Sequence, residues 1–112
     1  MIRNTIIVNS LNQAGIGAAS LSVFPTSFDC AAAGDSQNFT LTVASSSQEW
    51  SYEIDYTIWG LPWITVSEAS EMGNDIVVIT CEENTGAERT GTVTFTSDYC
   101  KNVVVSITQV AA

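Results

Sequence analysis

The chain has 112 residues, of which 46% are hydrophobic and 13% are charged, with 12 acidic residues against 3 basic ones. This length predicts one domain with its own hydrophobic core. The net charge of −9 argues against nucleic acid and anionic membranes as partners, because phosphate binding needs clustered Lys and Arg. The chain has no histidine, which removes the commonest general base and the commonest metal ligand.

The N-terminal segment differs in composition from the rest of the chain. We interpret residues 1–19 as an arm and residues 20–112 as the domain. The arm holds one short β-prone run and then Asn, Gln, Gly and Ala. We expect its apolar residues to bind a partner by adding a strand to an open sheet edge, and these residues are Ile6, Ile7 and Val8. A plain disordered tail is the alternative.

Within the domain, apolar and polar residues alternate with the period of two that is typical of half-buried β-strands. Pro25 ends or bends the first strand, the nearly all-apolar fifth strand is expected to be central, and no segment shows a helical period. Seven short strands predict an all-β, immunoglobulin-like sandwich. The predicted strands contain residues 21–23, 38–43, 50–56, 63–66, 76–81, 90–96 and 103–108.

Three aromatic residues lie in or beside predicted loops, and they are Trp59, Trp63 and Tyr99. Exposed aromatic rings stack on sugars and also anchor protein interfaces, so these residues are the candidate glycan or interface site. The alternative is that both tryptophans cap the ends of the sandwich as part of the core. Trp50 lies in a strand and is expected to be buried.

Acidic residues form two groups near the strand ends. Glu68, Glu71, Asn74 and Asp75 offer oxygens of the kind that calcium accepts, but their spacing matches no known calcium loop, so a solvated surface is favoured and no metal is predicted. The second group contains Glu82, Glu83 and Glu88, with Arg89 as the expected ion-pair partner.

Glu53 and Asp55 share one strand face, about 7 Å apart by strand geometry. Paired carboxylates at that distance occur in glycosidases. Two acids on one strand face also arise often by chance, and no other catalytic signature is visible. We therefore predict that the protein is not an enzyme and needs no cofactor.

The three cysteines are Cys30, Cys81 and Cys100. Their odd number and the absence of a C-x-x-C spacing argue against a zinc site. Cys81 lies in phase with Val77 and Ile79 and is expected to be a small buried hydrophobe. We expect all three to remain thiols, which fits folding in a reducing cytosol. The apolar run of the arm is too short for a signal peptide.

Several segments together resemble the BACON domain, an immunoglobulin-like sandwich whose name marks it as carbohydrate-binding and common in gut Bacteroidetes. The strongest parts of the resemblance are Asn84-Thr85-Gly86 through Arg89-Thr90 and the late pair Thr108-Gln109. The matching segments are LSVFPTSFDCAAAGDSQNFTLTV at 21–43, Trp50, WITVS at 63–67, ENTGAERTGTVTFTS at 83–97 and VVVSITQ at 103–109.

The resemblance implies two functions. The family usually follows a secretion signal and adjoins glycosidase or peptidase domains, and neither is visible here. The family also occurs in structural proteins of crAss-like phages, so our first hypothesis is a phage capsid decoration protein, made in the host cytoplasm and bound to other virion proteins. The alternative is a carbohydrate-binding module for host or mucin glycans, secreted or at the cell surface as part of a larger protein.

Overall fold

The alternating segments fold into eight β-strands in two four-stranded sheets. A computed structural model describes residues 19–56, 62–68 and 70–112. The first sheet has the order β1-β3-β6-β5 and the second has the order β2-β8-β7-β4. The predicted all-β, immunoglobulin-like sandwich is confirmed. The strands are β1 (Leu21–Phe24), β2 (Ser27–Cys30), β3 (Asp35–Val43), β4 (Ser51–Tyr56), β5 (Ile64–Ser67), β6 (Asp75–Cys81), β7 (Arg89–Thr96) and β8 (Val103–Gln109).

The additional strand arises at Pro25, where the chain crosses from one sheet to the other. β1 pairs antiparallel with β3 in the first sheet, whereas β2 pairs parallel with β8 in the second. In β2, Phe28 and Cys30 point into the core and Ser27 and Asp29 point outward. β2 begins shortly after Pro25, which we interpret from the sequence as ending or bending the first strand, and this is why the sequence pattern alone did not reveal it.

The predicted strand phases agree with the structure. Gly91, Val93 and Phe95 of β7 are buried, and the threonines between them lie on the outer side. β6 is central as predicted, since it pairs with both β3 and β5. Strand β5 begins at Ile64, one residue later than the pattern indicated.

Aromatic rings from both sheets fill the core between the layers. Phe28 of the second sheet meets Phe39 of the first, with ring centroids 6.0 Å apart. A Cβ atom at Gly91 would lie 2.6 Å from Ile64 Cδ1 and 2.8 Å from the backbone oxygen of Asp55. This close approach of β7 to its neighbours therefore requires glycine.

Cys30 and Cys81 form a disulfide between the two sheets, with their Cα atoms 6.7 Å apart. Our expectation that all three cysteines remain thiols is wrong for this pair. Cys30 ends β2, Cys81 ends β6, and both side chains point into the core. Cys30 is directed inward by strand β2, which the sequence analysis did not predict. Cys100 is a free thiol.

Two predicted features lie outside the described residues. Residues 1–18, which hold the arm and its Ile6, Ile7 and Val8, are not described, and neither are residues 57–61, which include Trp59. In the part of the chain that is described, no helix has the length and apolar character needed to cross a membrane.

Candidate functional site

Three loops meet at one end of the sandwich, which we name the Tyr99 end. They are residues 44–50 between β3 and β4, the described residues of 68–74 between β5 and β6, and residues 97–102 between β7 and β8. The backbone N–H of Trp50 donates to the carbonyl oxygen of Glu71 at 3.0 Å. The loops are therefore bonded to one another as well as to their own strands.

Gln48 connects these loops through its side-chain amide. Its Nε2 donates to the carbonyl oxygen of Ser20 at 2.8 Å, to Ser97 Oγ at 2.9 Å and to Cys100 Sγ at 3.6 Å. Ser97 Oγ in turn donates to the carbonyl oxygen of Glu49 at 2.6 Å. One half-buried glutamine thus fixes the start of the domain and two of the loops relative to each other.

Trp50 forms the buried floor of the Tyr99 end, as its predicted core position implied. Its ring Nε1 donates to the carbonyl oxygen of Gly73 at 3.0 Å, and the N–H of Gly73 donates to the carbonyl oxygen of Gln48 at 3.0 Å. Gly73 has a φ of 77°, and a Cβ atom there would lie 3.2 Å from the backbone oxygen of Ser46. Glycine is therefore needed at position 73, because of the positive φ and because of the close approach of the Ser46 backbone.

Tyr99 is the exposed aromatic residue of this end. Its side chain is 80% exposed, and its φ of 65° lies in the left-handed region. The preceding Asp98 helps to line a shallow cleft of about 230 Å³. The cleft combines carboxylates and hydroxyls with the edge of a buried indole, and its other lining residues are Glu49, Trp50, Ser51, Thr96 and Ser97.

The acidic residues of loop 68–74 interact with each other. Burial raises the pKa of Glu68, and the hydrogen bond with Glu71 and its negative charge raise it further, with a smaller effect from Asp75. Burial also raises the pKa of the Tyr52 hydroxyl, and the charges of Glu68 and Glu71 add to that effect. Across the described ranges, no group of three or more Cys, Asp or Glu side chains is arranged to hold a metal ion.

The opposite end of the sandwich, which we name the Arg89 end, is closed by Arg89 and Gln109. The Arg89 guanidinium carbon lies 4.6 Å from the centroid of the Trp63 ring. Its Nη2 donates to the carbonyl oxygens of Glu82 and Glu83, both at 3.1 Å. Its Nε donates to Gln109 Oε1 at 2.8 Å. Arg89 therefore pairs with backbone carbonyls in these bonds, not with the carboxylates expected from the sequence.

The buried side chains of Gln109 and Asn84 complete the closure. Gln109 Nε2 donates to the carbonyl oxygens of Ala31 and Glu82, at 3.0 and 2.7 Å. Asn84 Nδ2 donates to the carbonyl oxygens of Ala87 and Val110, at 2.8 and 2.9 Å. These buried amides thus hydrogen-bond to four loop carbonyls and tie the loops of the Arg89 end together.

The structure separates the predicted site residues. Trp63 is 2% exposed and packs under Arg89, so it belongs to the core and cannot offer a ring face to a ligand. Tyr99 is exposed at the other end of the sandwich. Glu53 and Asp55 lie on the exposed outer face of β4, opposite Thr94 and Thr92 of β7.

Sequence reasoning missed Gln48 and the cleft beside Tyr99. The groups to which Gln48 Nε2 donates lie 28 to 52 residues away along the chain. Only the tertiary fold brings these loops together, and no short motif contains them. The signal that the sequence offered was the polar composition of the three loops, which is typical of exposed segments.

The BACON family model, described as "Putative binding domain, N-terminal", matches residues 43–110. The chain belongs to the BACON family. The match covers more than half of the chain and includes both ends of the sandwich. No curated protein matches this BACON domain significantly.

Solved structures share the fold of this BACON domain at low sequence identity. A Bacteroides ovatus GH5 xyloglucanase, solved in complex with a XXXG heptasaccharide, is 24% identical with a TM-score of 0.67, and the match covers 82% of this chain but 19% of the xyloglucanase. A Bacteroides thetaiotaomicron protein is 16% identical with a TM-score of 0.54 and coverages of 92% and 97%. The SrpA adhesin of Streptococcus sanguinis is 14% identical with a TM-score of 0.57 and coverages of 86% and 60%.

Proposed function

We propose that this BACON domain binds carbohydrate at the Tyr99 end. The family is described as one of binding domains, and the loop that carries the exposed Tyr99 ring also supplies Ser97 and Asp98 to a polar cleft. Sugar-binding sites combine these two features, because the C–H face of a pyranose ring packs on an aromatic ring while its hydroxyls need hydrogen-bond partners.

The observation that carries the proposal is the position of Tyr99. A non-glycine residue in the left-handed region has a conformational penalty of roughly 1 kcal/mol. The Tyr99 side chain is 80% exposed, so most of its ring surface is open to a ligand. An exposed aromatic ring at such a position supports a role in binding.

The cleft supplies the hydrogen-bonding groups. The carboxylates of Glu49 and Asp98 accept hydrogen bonds from sugar hydroxyls, and the hydroxyl of Ser51 both donates and accepts. The Gln48 amide holds the loops that carry these groups, so little ordering is needed on binding. The proposed role is binding without catalysis, since Glu53 and Asp55 lie on a separate, outward face.

The charge of the Tyr99 end selects among sugars. Glu49 and Asp98 line the cleft, and the neighbouring loop adds Glu68 and Glu71, so that carboxylates outnumber Lys101 of loop 97–102. Sialylated or sulfated sugars carry negative charge and would be repelled by these carboxylates. We therefore expect neutral glycans as ligands, which narrows the earlier hypothesis of host or mucin glycans to their uncharged forms.

A glycan array tests the proposal, with Tyr99→Ala as the variant and Phe24→Ala as its matched control. Phe24 is 76% exposed but lies on the outer face of the first sheet. We expect wild type and Phe24→Ala to be retained by neutral glycans, and Tyr99→Ala to lose at least about tenfold in affinity. Equal retention of all three proteins would place the site elsewhere. No retention of wild type on any glycan would end the carbohydrate proposal.

The second candidate function is that of a structural protein that decorates a phage capsid. What supports it is the outer face of the first sheet, where Phe24 is 76% exposed and Ile76 is 51% exposed, and which another protein can cover. The arm residues on which this hypothesis first relied lie outside the described part of the chain. Co-purification with assembled particles, compared between full-length protein and a variant lacking residues 1–19, tests it directly.

The disulfide between Cys30 and Cys81 supports a compartment different from the one first expected. Disulfides persist in oxidising environments and are rare in the cytosol. We propose a periplasmic, secreted or cell-surface location in preference to assembly in a host cytoplasm. Fractionation of the native host with an antibody against the domain would test this location.

A further inference from the structure

The segment that precedes the domain joins it at the Tyr99 end. The described part of the chain begins at Ala19, directly before Ser20 and strand β1. Gln48 Nε2 donates to the Ser20 carbonyl oxygen at 2.8 Å, and the same atom donates at 2.9 Å to Ser97 Oγ in the loop that carries Tyr99. One side chain therefore fixes the start of the domain beside the proposed carbohydrate site. The residues before Ala19 leave the sandwich from this end.

The arm differs from the domain in charge. Residues 1–19 hold one basic residue, Arg3, and no acidic residue, whereas residues 20–112 hold all 12 acidic residues and the remaining basic ones, Arg89 and Lys101. The Tyr99 end is one of the acidic parts of the domain, since the carboxylates of Glu49 and Asp98 line its cleft. Opposite charge therefore attracts the arm to this end.

The arm also carries the kinds of group that this end would bind in a sugar. The side-chain amides of Asn12 and Gln13 are N–H donors for carboxylates, and Ile16 offers aliphatic C–H groups to the Tyr99 ring. Asn12 lies eight residues before Ser20, and eight extended residues span up to roughly 26 Å. Packed sheets stand only about 10 Å apart, so these side chains can reach the cleft.

We propose that residues 1–18 fold back over the Tyr99 end of their own domain and compete there with carbohydrate. The contact of the arm with the loops does not depend on the proposed function, whereas the competition rests on it. The tether keeps the arm at an effective concentration on the order of millimolar, so weak contacts are enough to cover the site. An arm that covers the site for about nine-tenths of the time lowers the apparent glycan affinity about tenfold.

The proposal connects the two roles expected of the arm and of the open end. Ile6, Ile7 and Val8 are expected to add a strand to a sheet edge of a partner. A partner that captures these residues withdraws the arm from the Tyr99 end and exposes the carbohydrate site. Binding of that partner and binding of a glycan then strengthen each other.

The outer face of the first sheet is the other surface available to the apolar residues of the arm, since Phe24 and Ile76 are exposed there. The Tyr99 end is favoured for two reasons. The arm leaves the domain at this end, and the carboxylates of the cleft attract Arg3. The two surfaces involve different strands and loops, so one experiment separates them.

Hydrogen–deuterium exchange of the full chain and of a variant lacking residues 1–18, both without glycan, tests the contact. We expect loops 44–50 and 97–102 to exchange faster in the truncated variant, and residues 82–88 at the Arg89 end to be unchanged. Arg3→Glu should speed exchange in the same two loops, and its matched control Arg3→Lys should behave as wild type. Thermal melts establish that each variant is folded. Unchanged exchange in both loops overturns the inference, as does faster exchange confined to β1, β3 and β6.

Affinity for a neutral glycan supplies the second readout. We expect the truncated variant to bind at least about tenfold more tightly than the full chain, and Tyr99→Ala in the truncated variant to abolish that binding. If neither protein binds any glycan while exchange shows the contact, the position of the arm stands and the carbohydrate proposal fails. If both proteins bind a glycan equally well, the competition is wrong and the carbohydrate proposal stands.

Discussion

The two ends of this sandwich are both organised around a glutamine, but they differ in what the glutamine does. Gln109 is fully buried and bonds two loop carbonyls and Arg89 at the Arg89 end. Gln48 is half-buried and connects loops whose outer surface remains open, with Tyr99 beside them. The Arg89 end is closed by hydrogen bonds between side chains and its own loop carbonyls, whereas the Tyr99 end presents side chains to solvent.

This difference indicates that the side chains of the Arg89 end stabilise the fold, whereas those of the Tyr99 end can contact a ligand. The segments with the strongest resemblance to the BACON family, around Asn84, Arg89 and Gln109, are those that close the Arg89 end. The side chains of these three residues form hydrogen bonds with other groups of the domain itself. The family match spans both ends of the sandwich, so the proposed ligand site rests on the geometry of the open end itself.

The largest effect is expected from the disulfide at the closed end. Replacing Cys30 and Cys81 together by Ala should lower the free energy of unfolding by about 4 kcal/mol, as a crosslink over 51 residues restrains the unfolded chain. Cys100→Ala at the open end should cost less than about 1 kcal/mol. Urea denaturation measures both. An intact mass of the unreduced protein without a two-proton loss would contradict the disulfide itself.

The two glutamines give the next largest difference. Gln109→Ala should cost about 3 kcal/mol, because the Arg89 Nε–H loses its acceptor and the buried carbonyls of Ala31 and Glu82 each lose one of their two donors. Gln48→Ala should cost about 1 kcal/mol, since water can reach its partners. Denaturation curves of the two variants compare the ends directly. Equal losses would mean that the Tyr99 end is as closed as the Arg89 end.

Tyr99 itself should contribute little to stability. Glycine adopts a positive φ without penalty, so Tyr99→Gly should be more stable than Tyr99→Ala by about 1 kcal/mol. Both variants should lose glycan retention equally, because both lack the ring. Thermal melts compare the pair, and a Tyr99→Gly variant less stable than Tyr99→Ala would show that the loop does not adopt the left-handed conformation.

The fold was predictable from the sequence because strand phase is a local property. The alternation around Val93 and Phe95 fixed which face of β7 is buried, and the apolar run of β6 fixed its central position. Strand β2 was missed because it begins shortly after Pro25, which we interpret from the sequence as ending or bending the first strand, and only Phe28 and Cys30 mark its inward side. The error at Cys30 followed directly from that omission.

The candidate site was less predictable because it depends on contacts between distant loops. Tyr99 and Trp63 looked equivalent as loop aromatics, yet Trp63 lies under Arg89 and Tyr99 lies in solvent. What distinguishes them is the neighbour supplied by tertiary packing, here a guanidinium from β7. Exposure of a loop aromatic therefore cannot be inferred from its own segment.

The smallest effect concerns the pH dependence of the open end. The folded-state pKa of Glu68 is raised above its ordinary value of 4.5, so the folded chain holds this proton more tightly than the unfolded chain. As the pH rises above 4.5, the unfolded state loses the proton first. The free energy of unfolding then falls until Glu68 is ionised in the folded state as well. Below the ordinary value both states are protonated, and Glu68 adds no pH dependence.

Glu68→Gln should remove this decline in stability. The variant should therefore be as stable as wild type near pH 4 and more stable than wild type at pH 7. The gain should be below about 0.5 kcal/mol, because the group is close to solvent. Glu71→Gln should also reduce the decline, since Glu71 contributes the hydrogen bond and the charge. The stability of the double variant, with both Glu68→Gln and Glu71→Gln, should depend on pH as much as that of Glu68→Gln alone. Melting temperatures measured across this pH range provide the comparison, and a Glu68→Gln variant less stable than wild type at pH 7 would show that the carboxylate stabilises the Tyr99 end.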